Sequence, residues 1–127
     1  MPKPLELVRI LCGLFILVSG LMNLGLFGFE PPEVGPAGRQ FQIAMQESAY
    51  LLPIVTLIFI LAGVAIVIDR FGALASMAVA PIAVNILLFH AFSASPVLPM
   101  AIFFSVVSSY CLWYYRKAYL PLLRSKA

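Results

Sequence analysis

Phe71-Gly-Ala-Leu-Ala-Ser-Met-Ala-Val-Ala-Pro81-Ile-Ala-Val-Asn85-Ile-Leu-Leu-Phe-His90-Ala-Phe92 contains no Asp, Glu, Lys or Arg. Wound as an α-helix at about 1.5 Å per residue it reaches roughly 33 Å, enough to cross a hydrocarbon core of about 30 Å. Backbone amides in that medium have no water to bond, so such a run folds as a helix that satisfies them internally. Two of its groups are costly in hydrocarbon: the amide of Asn85 and the imidazole of His90. Each needs a partner or a wet cavity, which makes both functional candidates.

Outward from this run lie three others of spanning length, Leu7–Gly28, Ala49–Ile68 and Val97–Tyr115. The chain has 127 residues, of which 63% are hydrophobic and 10% charged. Soluble domains are about half apolar and roughly a quarter charged. This chain is too apolar for water and too short for several domains. The expectation is one all-α membrane domain over residues 1–127. It is an antiparallel bundle of four transmembrane helices, at about 7–28, 49–68, 71–92 and 97–115, surrounded by the lipid bilayer. A β-barrel would need shorter alternating strands, and no alternation is visible.

The net charge of +3 is a topology signal. If four helices alternate, Lys3, Arg9, Arg70, Arg116, Lys117, Arg124 and Lys126 fall on one side and Arg39 alone on the other. The positive-inside rule puts both termini and the Asp69-Arg70 turn in the cytoplasm, and no nucleic-acid partner is expected. Glu30, Glu33, Arg39 and Glu47 then face outward. Basic residues before the first apolar run resemble a leader, but the run is long and no A-x-A-like site follows, so it is read as a span.

Between the first two spans, Phe29-Glu30-Pro31-Pro32-Glu33-Val34-Gly35-Pro36 excludes regular structure. From Ala37 the spacing turns helical, with Phe41, Ala44, Met45 and Ser48 on one face and Arg39, Gln42 and Gln46 mostly elsewhere. This predicts an amphipathic segment on the outer surface, or an outward extension of the second span. Pro53 would kink or restart the helix after Tyr50. The short links Asp69-Arg70-Phe71-Gly72 and Ser93–Ser95 make their flanking helices antiparallel neighbours, with Pro96 as a first helical residue. Trp113-Tyr114-Tyr115-Arg116-Lys117 reads as an aromatic belt and a basic stop, after which Tyr119–Leu123 lies on the membrane surface.

Depth sorts the candidate site residues. Asn85 is roughly 21 Å and His90 roughly 28 Å from the start of their helix, so Asn85 lies past mid-membrane and His90 near the outer interface. Five helical residues turn through about 500°, which aims the two side chains some 140° apart and keeps them out of one narrow groove. Asn85 is expected to bond inside the bundle. His90 belongs to an outer polar mouth with Glu47, Gln46, Tyr50, Arg39 and Asn23, where a His–carboxylate pair could move protons. Ser19, Gly20 and Asn23 form a small polar strip suited to close helix packing. Arg9, three residues from Glu6, either pairs with it or snorkels to the interface, or turns inward as a fixed charge. Cys12 and Cys111 form no C-x-x-C motif and read as small packing residues; a redox role requires Cα atoms under about 7 Å apart. One His and two separated Cys make no metal or haem signature, and no phosphate loop or nucleophile elbow is present.

Arg9-Ile-Leu-Cys-Gly13 leading to Ser19-Gly20, then Tyr50-Leu-Leu-Pro53 and Leu61-Ala-Gly63, then Ala80-Pro81-Ile-Ala-Val-Asn85-Ile-Leu-Leu-Phe-His90 together resemble the DoxX family of small four-helix bacterial membrane proteins. The third piece is the most specific, and the resemblance covers nearly the whole chain. It implies a four-helix bundle in the bacterial cytoplasmic membrane and a link to quinone-dependent or thiol-related redox complexes. Members often carry a glutamate in the second helix shortly before the Ala-Gly pair; Phe59 stands there in this chain. That substitution removes the carboxylate on which a proton or quinone role would lean.

The functional expectation is an accessory or interaction subunit of a membrane redox assembly, with quinone as the candidate cofactor and a redox partner or a second copy of the chain as candidate partners. Asn85, His90, Tyr50 and Glu47 would supply polar contacts, with no catalysis read for the isolated chain. The alternatives are an assembly protein without a redox role, and a carrier of a small molecule or lipid.

Overall fold

The computed structural model describes residues 3–24, 35–92 and 98–125. The described chain is helical throughout. It comprises α1 (Pro4–Met22), α2 (Pro36–Glu47), α3 (Leu51–Ile68), α4 (Gly72–Phe92), α5 (Leu98–Tyr114), the short α6 (Arg116–Tyr119) and a closing 3₁₀ turn (Leu120–Leu123). Three helices, α1, α3 and α4, are long and apolar enough to cross a membrane. A fourth span results if α5 is taken with the α6 segment, which bends away from it by 67°.

Local chemistry sets the boundaries. α1 and α2 each begin with a proline in the first turn, where a missing amide proton is harmless. α1 closes at Met22, earlier than the expected Gly28, with the Asn23 amide donating back to the Gly20 carbonyl at 3.1 Å. The Phe29–Val34 stretch, the Ser93–Ser95 link and Pro96 lie outside the described residues.

α2 is a separate helix and not an extension of α3. The break at Ser48–Tyr50 is fixed by the Ser48 hydroxyl, which accepts from the Leu51 amide at 3.1 Å as α3 begins. Pro53 therefore falls in the first turn of α3, where it restarts the helix without kinking it. Pro81 sits within an uninterrupted α4.

α3 and α4 are joined by a turn in which Asp69 (φ 57°) and Phe71 (φ 60°) occupy the left-handed region. Asp tolerates this conformation; a bulky Phe rarely adopts it. The hydroxyl of Tyr115 holds the turn by donating to Asp69 Oδ1 at 2.7 Å, and that of Tyr119 donates to the Ala73 carbonyl at 2.9 Å. Gly72 leaves room for this clamp, since a Cβ there would lie 2.1 Å from the Tyr115 hydroxyl oxygen.

α1 packs along α3, α3 along α4, α4 along α5, and α5 returns to α1. The core between them is built of small or branched residues: Cys12, Ile16, Ala62, Ile66, Ala75, Val79, Ala83, Val107 and Cys111, with Phe59 and Phe104 as its large members. Long apolar side chains point the other way. Leu7, Leu11, Leu14 and Val18 form an exposed stripe on α1, matched by Ile54, Leu57 and Leu61 on α3. This inversion suits a medium where helices associate by close packing and not by escape from water. α1 and α3 approach closely, since a Cβ on Gly63 would meet backbone atoms of Leu17 at 2.6–2.7 Å. The hydroxyls of Ser19, Ser76, Ser105 and Ser109 each bond to a carbonyl four residues earlier in their own helix. Among the described residues Ser19 therefore contributes smallness, and no cross-helix bond, to the strip it shares with Gly20.

Candidate ligand cavity beneath helix α2

At the Asn23 end of the bundle, α2 lies over α3 and α4 and roofs a cavity of about 250 Å³. Asn23 contributes from α1; Phe41, Gln42 and Met45 from α2; Leu52, Val55 and Phe59 from α3; and Ile82, Asn85, Ile86, Phe89 and His90 from α4. The roof is pinned by aromatic contact. Phe41 stacks at a tilt on Phe89 with ring centroids 5.3 Å apart, and Phe89 meets the edge of His90 at 5.1 Å. The walls are apolar, and the polar groups are two asparagines, one glutamine and one histidine.

Asn85 and His90 both line this cavity, although they point some 140° apart. Projected down α4, Ile82 and Phe89 lie near the middle of the lining arc, while Asn85 and His90 mark its edges about 140° apart. A groove between two helices would not accept so wide an arc, but a cavity covered by a third helix does. Asn85 is exposed rather than bonded inside the bundle. His90 Nδ1 is buried without a hydrogen-bond partner among the described residues. The expected His–carboxylate pair with Glu47 is thus not made through that nitrogen.

The remaining candidates lie elsewhere. Glu47 closes α2 on its exposed side, about 200° around the helix from Met45. Tyr50 sits in the break before α3 and is 66% exposed. Arg9 is at the opposite end of α1, only 6% exposed, and donates to the carbonyls of Val67 (3.0 Å) and Ile66 at the end of α3. Its guanidinium also lies 5.6 Å from the centroid of the Tyr114 ring. Arg9 has thus turned inward and does not pair with Glu6, whose carboxylate accepts from the Lys3 amide at 3.3 Å.

Sequence reasoning missed Gln42 and Phe59 as lining residues. Helical spacing puts Phe41, Ala44, Met45 and Ser48 on one face of α2 and Gln42 mostly elsewhere, but Gln42 adjoins Phe41 and Met45 in the lining. Phe59, singled out as the position where a carboxylate was expected, forms part of the cavity wall and of the core. A second groove of about 310 Å³ lies on the other flank of α3 and shares Asn23 and Leu52 with the first. Among the described residues no three His, Cys, Asp or Glu side chains gather in a metal-binding group.

Compared with known proteins, the chain matches no family model, no curated protein and no solved structure.

Proposed function

We propose that this chain is a DoxX-like multi-pass protein of the bacterial inner membrane that receives the head of a quinone beneath α2, as an accessory subunit of a membrane redox assembly. The observation carrying the reading is the cavity itself. Whole small-molecule sites usually enclose about 300–1,000 Å³. The volume of about 250 Å³ suits a single ring rather than an entire lipid. Asn23, Gln42 and Asn85 bring amide donors to apolar walls, as a ring with two carbonyl acceptors requires. His90 adds a ring nitrogen without a protein partner among the described residues. The neighbouring apolar groove along α3, lined by Leu24, Leu52, Pro53, Leu57 and Ile60, offers a path for an isoprenoid tail. A bound quinone supplies reversible two-electron, two-proton chemistry; the role of these residues is to bind and orient its head and to exclude water.

The topology belongs to the same proposal: four antiparallel spans, both termini cytoplasmic, with α6 turned along the membrane surface. It is supported by contact of the start of α1 with the end of α3 through Arg9, and of the end of α5 with the start of α4 through Tyr115 and Tyr119. Arg70 lies in the α3–α4 turn and Arg116 and Lys117 in α6, the elements that meet at that same end. Extraction of quinones from protein purified in native lipids, followed by titration with a short-chain quinone, tests the assignment. Saturable binding near one per chain is expected. No bound quinone, together with unchanged quinone reduction in membranes lacking the protein, would sink it.

A further inference from the structure

Two contacts set how α1 lies along α5 at the Arg9 end. Arg9 faces the Tyr114 ring at 5.6 Å, and Phe15 meets Phe104 with centroids 5.8 Å apart. Cys12 lies three residues on from Arg9 and Cys111 three residues before Tyr114, so on these two helices, which run past one another, both fall between those contacts and both belong to one buried cluster of the core. Both are free thiols in the core, with Cys111 1% and Cys12 8% exposed. A third tie, from the Tyr110 hydroxyl to the Leu5 carbonyl at 2.8 Å, holds the same helix pair. A packing role explains two small buried residues, but it does not call for two thiols in one cluster with a fixed cation three residues before one of them.

We propose that Cys12 and Cys111 are a peroxide-oxidisable dithiol whose disulfide joins α1 to α5 within one chain. Cys12, the more accessible thiol, reacts first. Its thiolate attacks one oxygen of a hydroperoxide, the O–O bond breaks, and the departing oxygen leaves as hydroxide or alkoxide and takes up the thiol proton. The resulting sulfenic acid is then attacked by the Cys111 sulfur. The S–S bond forms, the S–O bond breaks, and hydroxide leaves to collect the second thiol proton as water. Two electrons pass from the two sulfurs to the peroxide, and both protons end on its oxygens. Burial selects for a small neutral oxidant, since a bulky disulfide cannot reach either sulfur. Cys12 sits midway along α1, neither thiol lines the cavity, and the proposal does not depend on the quinone reading.

The full-length protein in detergent is treated with hydrogen peroxide, denatured, alkylated with a maleimide–polyethylene glycol and weighed intact. The expected product is a monomer two hydrogens lighter, in which both thiols are lost together and both return with reductant. Cys111→Ser should instead leave a sulfenic acid on Cys12 that dimedone captures, with no bridge inside the chain. Wild-type thiols that both remain alkylatable after peroxide, or bridges that form only between chains, overturn the proposal. The wild-type mass reading needs no variant, so a substitution that folds poorly leaves the result decisive.

Discussion

Arg9 of α1 donates to the carbonyl oxygens of Val67, at 3.0 Å, and Ile66, in the last turn of α3. The final carbonyls of a helix lack intrahelical donors and carry the negative end of its dipole. One guanidinium supplies both donors and charge, while the carbonyls compensate a cation that would otherwise be buried among apolar helices.

Arg9→Met should therefore destabilise the fold by about 1–3 kcal/mol, the usual effect of stranding buried partners of a charged donor. Both bonds leave one guanidinium nitrogen, so Arg9→Lys should keep the charge but recover only part, because the ammonium loses the flat face that lies over the Tyr114 ring. Denaturant titration of both variants in the same detergent measures this. Wild-type stability in Arg9→Lys would mean that the residue is a surface anchor and not a helix cap.

Gly63→Val should loosen the contact of α1 with α3. The added Cβ falls 2.6–2.7 Å from the Leu17 backbone, which cannot swing aside as a side chain tip would. Overpacking of this kind costs about 1–3 kcal/mol. A thermal midpoint equal to that of wild type would contradict the described approach of the two helices.

Phe71→Gly should stabilise the chain by roughly 1 kcal/mol. Phe71 is 80% exposed, so little packing is lost, and its φ of 60° is one that glycine adopts freely. The measurement is the unfolding midpoint; a fall would show that the ring makes a contact that outweighs the backbone term.

Asn85→Leu and His90→Leu should each weaken binding of a short-chain quinone by about tenfold, corresponding to about 1.4 kcal/mol for a lost polar contact. Glu47→Gln should leave binding unchanged, because that carboxylate lies outside the cavity lining. Equal losses from all three would move the site toward the end of α2.

Tyr119 predicts an alkaline limb in stability. Burial pushes its phenol above the ordinary tyrosine range. The hydroxyl is also the donor to Ala73, at 2.9 Å. Because the folded value is raised over the unfolded one, the contribution is complete below about pH 10. It is lost as pH rises through the folded value. Tyr119→Phe should lower stability by about 0.5–1.5 kcal/mol at neutral pH and flatten that limb. A stability-against-pH series on both proteins reads the difference.

The helices were legible because the run from Phe71 to Phe92 has a length and an apolarity that allow few other folds, and because prolines and short links punctuate the rest. The cavity was legible only in part. Asn23, Asn85 and His90 were recognisable as polar groups out of place in hydrocarbon, but which of them converge depends on where α2 settles. Its face toward α3 and α4 includes Gln42, which periodicity assigned elsewhere. The direction of Arg9 was not readable either: three residues from Glu6 it has a local partner, and the stronger pair of carbonyls at Ile66 and Val67 appears only once α1 and α3 pack. Thiols brought into one core cluster by helices at the two ends of the chain leave no trace in spacing at all.

The tie from Arg9 to the end of α3 also has a direction in time. Its Ile66 acceptor is 57 residues further along the chain. At a synthesis rate of about 5–20 residues per second, roughly 3–11 seconds pass between the emergence of the cation and that of its acceptor. Through that interval the newborn first helix holds an uncompensated charge, which favours a shallow seat near the headgroups. On the membrane topology proposed above, arrival of α3 removes that restraint and couples insertion of α1 to docking against it. Assembly is then expected to start from a two-helix unit rather than from a helix that settles alone.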